Sequence, residues 1–171
     1  MQEKYQLTQA DAILQKTTYI FDVSASEILW WGIAGAKLVL LNQGEEKSPS
    51  AILEVMEKNN VSIVDFVPSM LSVFLMSIEN VSNLNEKLKS LRFVIAAGEA
   101  LNAQIVNQFI TLMERNQLKG RLDNIYGPTE ASVYSTYFDT CSLNMDAVPI
   151  GKPIGNSKAY ILQTHVCCGI G

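Results

Sequence analysis

Asn124-Ile125-Tyr126-Gly127-Pro128-Thr129-Glu130 is the stretch on which the reading of this chain turns. Residues 121–125 have the character of a strand. Gly127-Pro128 ends regular structure after it, because proline fixes φ and removes a donor. Thr129 and Glu130 are thereby left on an exposed corner. The side chains gathered here suit a nucleotide. An aromatic ring can stack on a base, an amide can read its edge, a hydroxyl can bond a phosphate, and a carboxylate can hold Mg2+. A polar turn after a core strand is the plainer alternative, and local chemistry alone favours it.

The flanking sequence supplies the fold. Upstream, Leu101-Asn102 leads into a helix over 103–115, amphipathic through Ile105, Val106, Phe109, Ile110 and Met113. Residues 91–97 read as a strand ending at Gly98, and 79–90 as a loop with a short helix. Pro68 opens a helix over 69–78 and follows a strand over 61–67. Pro49 opens another helix over 49–58. Residues 37–41 read as a strand buried on both faces, 42–48 as a polar loop, and 17–21 as a β-branched, aromatic strand. Ser24 and Glu27 have capping-box spacing, which predicts a helix from Ser24 to about Gly35. A further helix start is expected near Thr8-Gln9-Ala10-Asp11. Downstream, strands are expected at 133–138 and 158–162. Alternating strands and helices predict an α/β fold with a largely parallel sheet flanked by helices. Asp22, Asp65, Gly98 and Tyr126 then fall at or near the C-terminal strand ends, the edge where open α/β sheets bind ligands.

Composition narrows the classes. The 171 residues fit one ordinary domain, and only 18% are charged, which suggests that part of the surface expects a neighbour. A net charge of −4 without a basic cluster disfavours nucleic acid. No apolar run reaches membrane-spanning length, and residues 1–6 lack the apolar core of a secretion signal, so a cytoplasmic location is expected. Cys141, Cys167 and Cys168 predict neither a disulfide framework nor a zinc site. The single histidine, His165, leaves no Ser-His-Asp constellation.

At this point the chain resembles a known family. Phe21-Asp22-Val23-Ser24-Ala25-Ser26-Glu27 is similar to the FDxSxxE motif of nonribosomal peptide synthetase adenylation domains. Residues 124–130 are similar to their NxYGPTE motif. Val67-Pro68-Ser69-Met70-Leu71, Ala97-Gly98-Glu99-Ala100-Leu101 and Val148-Pro149-Ile150-Gly151-Lys152-Pro153 resemble further segments, all in family order. The resemblance implies part of the large N-terminal subdomain of an acyl-adenylating enzyme. It implies activation of an amino acid with ATP and Mg2+ to aminoacyl-AMP, followed by loading onto phosphopantetheine of a carrier domain. Peptidyl carrier and condensation domains would be partners. Acyl-CoA synthetases share the Tyr-Gly-x-Thr-Glu core, but Asp22 in its context favours an α-amino acid. A generic doubly wound nucleotide binder is disfavoured, because neither GxGxxG nor a Walker loop occurs.

Carried over by residue, the resemblance assigns Asp22 to the substrate ammonium. Gly98, Glu99 and Ala100 would line the adenine, Tyr126 would stack on it, Asn124 would bond its edge, and Gly127 belongs to the same nucleotide segment. Thr129 would contact the α-phosphate and Glu130 would hold Mg2+, and these two are the catalytic candidates. The side-chain pocket would comprise Asp22, Val23, Ser26, Asp65, Ile95, Ala97, Ile125, Val133 and Tyr134. Asp65 stands out, since an unpartnered buried carboxylate is costly. It predicts either a basic side chain paired with Asp65 or a neutral polar substrate with Asp65 bonded to local backbone or Tyr134. Ser26 stands where many relatives carry tryptophan, so a wider pocket is expected.

The resemblance covers residues 1–165, a partial adenylation domain, and 166–171 read as an unrelated tail that fits a frameshift or truncation. The family's phosphate loop, ribose-binding aspartate and catalytic lysine are not among these residues. The alternative is therefore an inactive remnant with at most weak nucleotide binding. The 171-residue polypeptide alone is expected to be inactive and marginally folded.

Overall fold

Four short runs make the centre of the sheet: Ala12–Gln15 (β1), Ile63–Phe66 (β3), Phe93–Ala96 (β4) and Arg121–Tyr126 (β5). They pair in parallel, with Ile13 opposite Ile63, Asp65 opposite Ile95 and Ala96 opposite Asn124. Lys37–Leu40 (β2) adds in parallel outside β1. Thr136–Asp139 (β6) and Lys152–Pro153 (β7) extend the other side antiparallel. The sheet order is β2-β1-β3-β4-β5-β6-β7. Ile161–Gln163 (β8) and Val166–Cys168 (β9) form a separate pair. This is a computed structural model, and it describes residues 1–140, 146–163 and 166–168. The largely parallel α/β architecture is the one expected.

Strand side chains alternate between two faces. One face carries Leu14, Val64, Phe66, Val94 and Leu122. It packs against Pro49–Asn59 (α3), Pro68–Ile78 (α4), Leu84–Lys87 (α5) and Ala103–Arg115 (α6) in the main core. The other carries Ile13, Ile63, Ile95, Ala97 and Ile125. These pack with Tyr5 from Gln2–Tyr5 (α1), Trp30 from Val23–Ala34 (α2), and Tyr134 in a smaller core. Local signals start the helices as read. Ser48 Oγ accepts from Ala51 N ahead of Pro49, and Asn102 Oδ1 accepts from Ile105 N at 2.9 Å.

Several expectations need correction at the N-terminal side. The strand before α2 is Ala12–Gln15, not 17–21. Residues 17–21 form a turn with Tyr19, Ile20 and Phe21 in solvent. Their composition favours a strand, but the Glu27 carboxylate holds the turn by accepting from Thr17 N (3.0 Å) and Thr17 Oγ1 (2.7 Å). Glu27 therefore makes no capping box, and Ser24 Oγ donates instead to Phe21 O (2.7 Å). The expected helix start at Thr8 is a turn closed by Asp11, which accepts from Thr8 N and pairs with Arg92 at 2.6 Å. Residues 37–41 are not buried on both faces. β2 is an edge strand with Lys37 and Leu40 exposed.

The later strands begin at Thr136 and Ile161, not 133 and 158. Positive φ at Ser132 and Val133 keeps those two residues out of β6. Cys141 and His165 lie outside the described residues. Among the described residues no helix is long and apolar enough to cross a membrane.

Candidate active site

The 124–130 segment leaves the sheet where β5 meets β6. A Cβ on Gly127 would lie 2.3 Å from Val133 O and 2.6 Å from Tyr134 Cα, so only glycine allows this approach. Ser135 N donates to Tyr126 O at 2.9 Å and pins the two strand ends. Between them Tyr134 N donates to Ser132 O at 2.9 Å, across Val133 with φ +72°. This is a γ-turn with a β-branched residue at its centre, a strained arrangement. Gly127 thus serves backbone packing. Tyr126 is 49% exposed, and Thr129 and Glu130 stand exposed on a 3-10 turn, as the Gly-Pro break predicted.

The other nucleotide candidates divide. Gly98 has φ +87° and lies exposed with Glu99 and Ala100 just past β4. The Glu99 carboxylate accepts from Ser69 N and Ser69 Oγ, both at 3.0 Å, and so caps α4. Asn124 is buried and donates Nδ2 to Pro149 O at 2.8 Å. Thr136 Oγ1 donates to Ile150 O at 2.7 Å. Asn124 and Thr136 thereby fasten the 148–153 segment to the sheet, a structural task that motif reading did not reveal.

The side-chain candidates come together on the smaller-core face. Ile95, Ala97, Ile125 and Tyr134 are buried there, with Val23 and Val133 packed against them. Tyr134 Oη lies 3.0 Å from Asp65 Oδ1 and 3.2 Å from Ser26 Oγ. Asp22 stands at the start of α2, and its Oδ2 is buried without a hydrogen-bond partner among the described residues. The expectation of a wider pocket over Ser26 fails, because the Tyr134 phenol fills that room. Of the partners expected for Asp65, Tyr134 is the one that bonds it.

Two charged residues beside the pocket went unread in the sequence. Glu27 is buried under α2 and its pKa is raised by desolvation. Lys16 lies with its Nζ 4.4 Å from the centroid of the Phe66 ring, and desolvation lowers its pKa. Burial, with the Glu27 charge adding to it, lifts Asp65 to about 7, opposed by the Tyr134 hydrogen bond and Lys16. The same burial and Asp65 raise Tyr134. Only the FDxSxxE match hinted at Glu27, and no local pattern singles out Lys16.

Residues 1–167 match the AMP-binding enzyme family. The chain belongs to that family. It is 48% identical over 177 residues to a mycosubtilin synthase of Bacillus subtilis, covering 100% of this chain and 7% of that protein. It therefore spans a small part of that relative's length. Among solved structures it resembles the nonribosomal peptide synthetase FmoA3, with TM-score 0.83, 22% identity, and coverage of 94% of this chain and 17% of that one. It also resembles the Vibrio cholerae adenylation domain AlmE in complex with glycyl-adenosine-5'-phosphate. There the TM-score is 0.73 at 25% identity, over 89% of this chain and 27% of that one. The AMP-binding chain thus shares the fold and family that its ordered motifs implied.

Proposed function

We propose that this chain forms the amino-acid pocket and one nucleotide wall of an adenylating ligase. The enzyme activates an amino acid with ATP to aminoacyl-AMP and pyrophosphate, then passes the aminoacyl group to a phosphopantetheine thiol on a carrier domain. The observation that carries this reading is Asp22. A buried carboxylate oxygen without a partner is costly, and a substrate α-ammonium would supply the missing donors. Tyr126 offers a half-exposed ring for adenine at the end of β5, and Gly98 and Ala100 are exposed just past β4, the strand paired with it. Thr129 would contact the α-phosphate from its exposed turn.

Glu130 fits Mg2+: it is an exposed oxygen donor, and Mg2+ is held by one or two carboxylates together with phosphates and water. Bound there, the metal would supply charge neutralisation at the phosphates. Asn124 and Glu99 hold the surrounding segments in place. The setting is a cytoplasmic synthetase whose carrier and condensation domains are the partners. With Tyr134 bonded to Asp65, the carboxyl has a partner without a basic side chain, and this reading leaves the side chain open.

The test is amino-acid-dependent pyrophosphate exchange by the complete enzyme carrying these residues. Asp22→Asn should lower kcat/KM by about 100-fold, the scale of losing one buried charge pair. Undiminished exchange would refute the assignment.

A further inference from the structure

The side-chain end of the pocket is occupied by the protein itself. Tyr134 is only 4% exposed, as is Asp65. Ser26 Oγ lies 2.7 Å from Val23 O, and a carbonyl can only accept, so the serine proton points there. The phenol donates to Asp65 Oδ1 at 3.0 Å, and its oxygen packs against Ser26 Oγ at 3.2 Å. The ring thus spans from the first turn of α2, where Asp22 begins the helix, to the floor of the sheet. The γ-turn at Val133 and the close approach of Gly127 to Tyr134 Cα fix the backbone that carries it. Five surface cavities of about 260 to 430 Å³ are lined by other residues, and none of these five includes Asp22, Ser26, Asp65 or Tyr134.

We propose that Tyr134, braced between Ser26 and Asp65, closes the side-chain end of the pocket, so that the enzyme takes a small amino acid of glycine, alanine or serine size and keeps lysine, ornithine and arginine away from Asp65. This rests on the reading of Asp22 as the ammonium partner. A side chain leaving the α-carbon beside Asp22 meets the Ser26 and Tyr134 hydroxyls first. A long cationic chain must displace the phenol from both partners to reach Asp65. It would also bring a second cation toward Lys16, whose charge already acts on Asp65. A side chain of one carbon or one hydroxymethyl need not reach past the Ser26 and Tyr134 hydroxyls.

Pyrophosphate exchange by the complete enzyme separates the outcomes, with glycine, alanine, serine, leucine, lysine and ornithine as substrates. A small amino acid should exceed leucine and ornithine by at least about tenfold, the usual worth of steric discrimination in a pocket. Tyr134→Phe should keep that order, because the ring remains. Tyr134→Ala should erase it, raising leucine and ornithine relative to glycine. A wild-type enzyme that prefers ornithine, lysine or leucine overturns the proposal, and this panel decides even if the alanine variant does not fold. A folded Tyr134→Ala that keeps the small-substrate order overturns it as well. Exchange supported only by carboxylic acids without an α-amine is a different result. It refutes the Asp22 reading, and with it the amino-acid proposal.

Discussion

Asp65 is where chemistry and stability meet at the residue scale. Its carboxyl titrates at about 7 in the folded chain against 3.8 for an ordinary aspartate. Between those values the native state holds a proton that the unfolded chain has released, so stability falls as pH rises from about 4 to about 7 and is level above that. The full difference is on the order of 4 kcal/mol. Asp65→Asn should therefore be more stable than wild type at pH 8, with the advantage vanishing near pH 4. Urea unfolding of the adenylation domain across that range measures it. The sequence offers Tyr134 as one of several partners for Asp65 and does not choose among them, because Tyr134 lies far along the chain and reaches Asp65 only through the γ-turn. Lys16 was invisible as a pocket charge, and Glu27 was marked only by its motif, because burial beside Asp65 is set by the sheet and not by local pattern. The placement of Asp22 at the start of α2, and of Tyr126, Thr129 and Glu130 on an exposed corner, was legible because short fixed motifs carry them and their surroundings are local.

At the scale of elements, the 127–135 connection is the exacting part. Gly127→Ala would force its Cβ into Val133 O and Tyr134 Cα, a clash with backbone that no rotamer relieves. We expect a loss of about 3 kcal/mol, read as a lower Tm, with exchange activity falling alongside. Ser132 sits at φ +61° with no such crowding argument, so Ser132→Gly should relieve local strain and raise stability by up to about 1 kcal/mol in the same melt. Helices α3, α4 and α6 were legible because proline, serine or asparagine marks their starts and apolar residues recur at helical spacing. β1 was missed because four residues carry too little periodicity, whereas the exposed Tyr19-Ile20-Phe21 turn has the composition of a strand. Edge position was equally unreadable for β2, since pairing partners come from distant sequence.

For the whole molecule, the two sheet faces are unequally covered. The main core is sealed by four helices, but Ile20, Phe21, Leu29 and Ile33 lie exposed around α2. Large apolar side chains left this exposed on and just before one helix point to an interface. The isolated 171-residue chain should therefore bind a hydrophobic dye and elute above its 18.9 kDa mass, whereas a monodisperse monomer that binds no dye would contradict this. The low share of charged residues already pointed that way, though not to which face. The division into two cores has a further consequence. Most of the side chains that shape the pocket belong to the smaller one, while the helices that carry the bulk of the packing lie across the sheet. On the proposed reading, substitutions that retune the pocket fall on the face away from the four packing helices. Residues proposed to set substrate choice and the helices of the main core thus lie on opposite faces of a single sheet.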